Sequence, residues 1–110
     1  MSRVIRTVGT SGANTAQTVS TPAIGESQQL LFYTVKYSAA PTQTGVVGTL
    51  NSGAGAGYDA ALNTGSANAL TTVYLPDGVV ILAPDDVLDV LAPAAGGAVT
   101  SAVAIYTRPA

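Results

Sequence analysis

The residues best placed to do chemistry are three carboxylates close together, Asp85, Asp86 and Asp89. Clustered carboxylate oxygens suit a hard cation such as calcium. Their spacing fits no calcium loop, because an EF-hand needs a glycine at its bend and a more distant glutamate. The local alternative is that Asp85 and Asp86 cap a turn ahead of a strand over 87–91, with Asp89 on the wet face of that strand. Paired carboxylates also serve glycoside hydrolysis, which needs an aromatic-lined groove for sugar rings. This chain has no Trp, one Phe and five Tyr. Serine and threonine are plentiful, but there is no histidine to activate one, which removes the commonest general base and the commonest transition-metal ligand. Cysteine is absent too, so zinc sites of the Cys/His type are excluded. Lys36, the sole lysine, falls in an alternating strand, where a solvated outward position is expected. Gly53, Gly55 and Gly57 form a glycine-rich run, but no Lys-Ser/Thr pair follows and no helix opens there, so it reads as a loop and not a phosphate cradle. The expectation is a protein that is not an enzyme and carries no metal and no cofactor.

The elements that must position these residues are short, β-rich and punctuated by Gly, Pro, Asn and Asp. Strands are expected over 3–8, 15–20, 28–38, 46–51, 58–62, 70–75, 79–82, 87–91 and 99–108. Pro22 lacks the amide that a ladder needs and ends the second. In the third, Leu31, Tyr33, Val35 and Tyr37 are expected on one face, and Leu30, Phe32, Thr34 and Lys36 on the other. Pro76-Asp77-Gly78 is a turn with a mechanism, since proline presets φ and glycine supplies a positive one. In the last strand Val99, Val103 and Ile105 are expected to alternate with Ala102, Ala104 and Tyr106. No window holds a helical apolar period. The expected fold is all-β: a small antiparallel β-sandwich, jelly-roll-like, of about eight strands.

With 110 residues the chain fits one domain, 1–110. Hydrophobic residues make up 47% and charged residues 9%, against about 25% charged in an average domain. Charge is what keeps small domains apart, so part of the surface is expected to be covered in the working state. The net charge is −2, and the basic residues are Arg3, Arg6, Lys36 and Arg108. So few cations argue against a nucleic-acid partner or an anionic membrane surface. No apolar run resembles a signal peptide or approaches the ~18 residues of a membrane span, so synthesis in the cytoplasm is expected. Arg3 and Arg6 sit near the start, either in an extended arm over about residues 1–8 that grips an acidic partner, or on an edge strand protected by charge from mispairing.

A threonine-rich start leads to Thr21-Pro22-Ala23-Ile24-Gly25-Glu26, then to a long apolar strand ending Tyr37-Ser38-Ala39-Ala40-Pro41-Thr42. Later come Leu75-Pro76-Asp77-Gly78, Pro84-Asp85-Asp86-Val87-Leu88-Asp89-Val90 and a closing strand ending Ala104-Ile105-Tyr106. In their order these turn-and-strand patterns, spread over nearly the whole chain, resemble small jelly-roll proteins of tailed bacteriophages. The resemblance implies a head decoration (cement) protein, a structural virion protein on the outside of an icosahedral capsid. It further implies a homotrimer, with the major capsid protein as partner, and no catalytic residues. Capsid contact is then expected through Arg3, Val4, Ile5 and Arg6 in the arm. The rivals are a tail or fibre component of the virion, and a carbohydrate-binding jelly roll using calcium at the Asp cluster and exposed tyrosines such as Tyr58 or Tyr74.

Overall fold

In the computed structural model, residues 3–41, 45–64 and 70–110 are described, with backbone alone at 63 and 64. The strands are β1 (Ile5–Thr10), β2 (Gln17–Ser20), β3 (Gln28–Tyr37), β4 (Val47–Asn51), β5 (Ala60–Thr64), β6 (Thr71–Tyr74), β7 (Val80–Leu82), β8 (Val87–Ala92) and β9 (Ser101–Pro109). A short 3-10 turn over Ala56–Tyr58 precedes β5, where the sequence suggested that the strand begins at Tyr58. Thr42, expected at the close of the third strand, lies outside the described residues, as do Met1 and Ser2 of the arm.

The strands form two antiparallel sheets packed face to face. One has the order β1-β9-β3-β6 with β7 also on β3, and the other has the order β2-β8-β4-β5. The pairs nest: β1 with β9, β2 with β8, β3 with β6 and β7, and β4 with β5. This is one long hairpin rolled into a sandwich, the jelly-roll arrangement. Strands β6 and β7 lie in line along β3, at Tyr33–Lys36 and Gln28–Leu30. They are two pieces of a single edge broken at Pro76.

The core sits between the sheets and follows the period-2 alternation of the strands. Tyr33, Val35, Leu82, Leu88, Val90, Val103 and Ile105 are all fully buried. Along β3 the expected alternation fails at one point. The pairing with β9 runs through Leu30↔Thr107 and then Phe32↔Tyr106, skipping Leu31. This bulge inserts one extra residue and flips the face. Leu30, not Leu31, therefore joins Tyr33, Val35 and Tyr37 in the core.

Polar groups close the ladders where proline interrupts them. Thr21, next to Pro22, is buried; its amide donates to the Leu88 carbonyl at 3.0 Å. Its hydroxyl oxygen in turn accepts from the Leu88 amide at 2.9 Å. The side chain thus extends the β2–β8 ladder by one step. Thr21→Val keeps the shape but strips the acceptor from a buried amide. The expected cost is about 1–3 kcal/mol, read as a lower urea midpoint at unchanged slope.

Candidate binding face

The outer face of the five-stranded sheet is assembled by register. β9 sends Ser101, Val103, Ile105 and Thr107 inward and turns Ala102, Ala104, Tyr106 and Arg108 outward. Pairing places Arg6 beside Tyr106 and Tyr106 beside Phe32. The next row holds Val8, Ala104, Thr34 and Val73, and the one beyond it Thr10, Ala102, Lys36 and Thr71. Arg6, Lys36 and Arg108 therefore share one face.

Its centre is apolar. Phe32 and Tyr106 stack at 4.4 Å between centroids with 20° between planes. The methyl side chains of Ala102 and Ala104 keep the floor low between Tyr106 and Lys36. A shallow depression of about 210 Å³ results, with Arg6, Thr34, Lys36 and Tyr106 among its walls. A second depression of about 360 Å³ adjoins it, shares Lys36 and Ala102, and is edged by the hydroxyls of Ser11, Ser38 and Thr100. Beneath it the Ser11 and Ser101 hydroxyls lie 2.7 Å apart, and Gln17 Nε2 donates to the Ser101 oxygen at 2.8 Å. Tyr37 donates to the Pro93 carbonyl at 3.4 Å, and burial pushes its phenol above the usual value.

The three cations of this face differ in freedom. Arg108 donates through Nε and Nη2 to Gln29 Oε1, at 3.2 and 3.0 Å. The side chains of Arg6 and Lys36 are exposed and form no ion pair or hydrogen bond with any described residue. Among the described residues no carboxylate stands in the rows that hold them. Asp85, Asp86 and Asp89 belong to the other sheet and its leading turn, and Asp59 stands at the start of β5. Asp77 lies in the turn between β6 and β7, and Glu26 in the connection from β2 to β3.

The residues of the proposed arm separate. Ile5 and Arg6 belong to β1, hydrogen-bonded to β9, and Ile5 turns toward the core side opposite Thr107. Arg3 and Val4 precede the strand and are exposed. Of these four, the structure brings Arg6 onto the same face as Lys36, Arg108, Phe32 and Tyr106. Those partners were not legible as a site, because they converge only when β1, β9 and β3 pair.

Two of the three clustered aspartates, Asp86 and Asp89, are spent on protein donors. Asp86 accepts from the Gly53 amide at 3.0 Å and from the Ala83 amide at 3.1 Å. Asp89 accepts from Ser20 Oγ at 2.5 Å and Asn51 Nδ2 at 3.1 Å. These contacts clamp the glycine-rich loop after β4 to the turn before β8. Among the described residues no three carboxylates converge as a metal cradle. Of the tyrosines considered for sugar stacking, Tyr58 is exposed whereas Tyr74 stacks on Tyr33, with centroids 5.0 Å apart. Compared with known proteins, the chain matches no protein-family model and no curated sequence.

Proposed function

We propose that this chain is a structural virion protein, a decoration (cement) protein that binds the outside of an icosahedral phage head and braces it. The observation that carries the reading is the outer face of the five-stranded sheet, with Arg6, Lys36 and Arg108 around a stacked aromatic pair and no carboxylate among them. Such a face complements an acidic protein surface. The side chains of two of its cations have no partner among the described residues, so docking breaks no ion pair there. The partners are the major capsid protein and other copies of the chain, as a homotrimer. Arg3 and Val4, beside β1, extend the contact at its rim.

Each exposed ion pair contributes little, about 0–1 kcal/mol, but several copies held together multiply the effect. Binding to particles stripped of this protein tests the reading. Arg6→Glu with Lys36→Glu is expected to weaken binding about a hundredfold or more through repulsion at every copy. Binding of the unaltered protein is expected to fall as salt rises. Asp85→Asn, on the opposite sheet's turn, is expected to leave binding unchanged. A double variant that melts normally and still binds undiminished would overturn the assignment of this face.

A further inference from the structure

Most of the large apolar side chains left exposed gather on the two free edges of the five-stranded sheet; Tyr58 and Leu91 lie elsewhere. Val4 precedes β1 and Val8 lies on it, while Val73, Leu75, Val79 and Ile81 follow the broken edge of β6 and β7, each of these six between 44% and 71% exposed. A free edge facing water is normally guarded by lysine or by other charges. From Leu70 to Leu82 the only charged residue is Asp77. The β1 edge carries the opposite sign, with Arg3 and Arg6 and no acid between Arg3 and Thr10.

We infer that these edges dock on each other between copies, the β1 edge of one copy seating against the β6–β7 edge of the next. Charge complementarity names the occupant. Joining β1 to β1 would set Arg3 and Arg6 against themselves, and joining β6–β7 to itself would set Asp77 against Asp77. Only the mixed contact pairs opposite signs while covering apolar side chains on both sides. Pro76 interrupts the edge, so the contact runs through the side chains of the 75–79 turn and its neighbours and not through one continuous ladder. A contact between two different surfaces is heterologous and closes into a ring when the rotation permits. Sheets joined edge to edge continue one surface, so the outer faces of all copies, with Arg6 and Lys36, lie on the same side of it. The inference deepens the decoration reading, which needs copies in contact, but it is tested on the isolated protein with no shell present.

Sedimentation and light scattering on the unaltered protein are expected to show one closed oligomer. Val8→Lys blocks one edge, and Leu75→Lys with Val79→Lys blocks the other; all three positions are exposed. Each variant alone is expected to be a folded monomer by its melting curve. Mixed together they retain one intact edge of each kind and are expected to form a one-to-one dimer and nothing larger. A monomeric unaltered protein, a variant that remains an oligomer by itself, or a mixture that stays monomeric would each overturn the inference. An oligomer that behaves as expected but fails to bind particles would sink the decoration reading and leave this contact standing.

Discussion

Gly48→Ala is expected to destabilise the fold by about 2–3 kcal/mol, the upper part of the range typical of overpacking in a well-filled core. Gly48 lies on β4 and faces the opposite sheet. A Cβ built there falls 2.6 Å from Tyr33 Oη and 3.0 Å from two of its ring carbons. Tyr33 has little room to retreat: it is fully buried and stacks on Tyr74 at 26° between planes. The phenol spans the gap between the sheets, and only a glycine on the far side leaves space for its tip. For a domain of this size the loss corresponds to a melting temperature lower by roughly 10–15 °C. The cost is expected to shrink in a Tyr33→Phe background, which removes the nearest atom, and a double-mutant cycle measures that coupling. Gly57→Ala is the control. No atom lies within 4 Å of its added Cβ, so a change within about 0.5 kcal/mol is expected, as for an ordinary surface substitution. An equal loss at both glycines would remove the steric argument.

Gln28→Ala is expected to cost about 3–4 kcal/mol, combining a cavity with two orphaned polar groups. Gln28 opens β3 and is only 1% exposed. Its Nε2 donates to the Pro22 carbonyl at 2.8 Å, and its Oε1 accepts from the Thr107 hydroxyl at 3.0 Å. One side chain thus ties the β2–β3 connection to the end of β9. Because Pro22 blocks the ladder there, no backbone donor takes this role. Gln28→Leu fills the space but strands the Thr107 hydroxyl, which is equally buried. Adding Thr107→Val removes the stranded group. Chemical denaturation is expected to show the double variant more stable than Gln28→Leu alone, with the residual loss belonging to the Pro22 carbonyl. A double variant less stable than the single one would show that the hydroxyl does not depend on Gln28.

Strand positions were legible because two local signals agree along the chain. Alternation marks the inward set of β9, and Pro, Gly and Asp residues mark where strands stop. The bulge at Leu31 was not legible: Leu30, Leu31 and Phe32 are all apolar, and nothing local says which is the extra residue. Nor did the sequence reveal that β6 and β7 share one edge of β3, since each reads as an ordinary short strand. The fate of the aspartates was half legible. The turn-capping role of Asp86 follows from the Pro84-Asp85-Asp86 pattern, but the Gly53 amide that Asp86 also holds comes from a loop remote in sequence. The candidate face was the least visible part. Positions 6, 36 and 108 give no hint of adjacency until the hairpin is rolled up. Arg6 was singled out for standing near the terminus, whereas what makes it a candidate is its row beside Tyr106 and Phe32.

The proposed decoration role is tested most directly by quantitative mass spectrometry of virus particles purified from the source of this chain. The expected result is this protein in numbers comparable to the major capsid protein, as for a molecule that covers the shell. A few copies per particle would place it in the tail or at a vertex, and complete absence would remove it from the virion; either result would contradict the account.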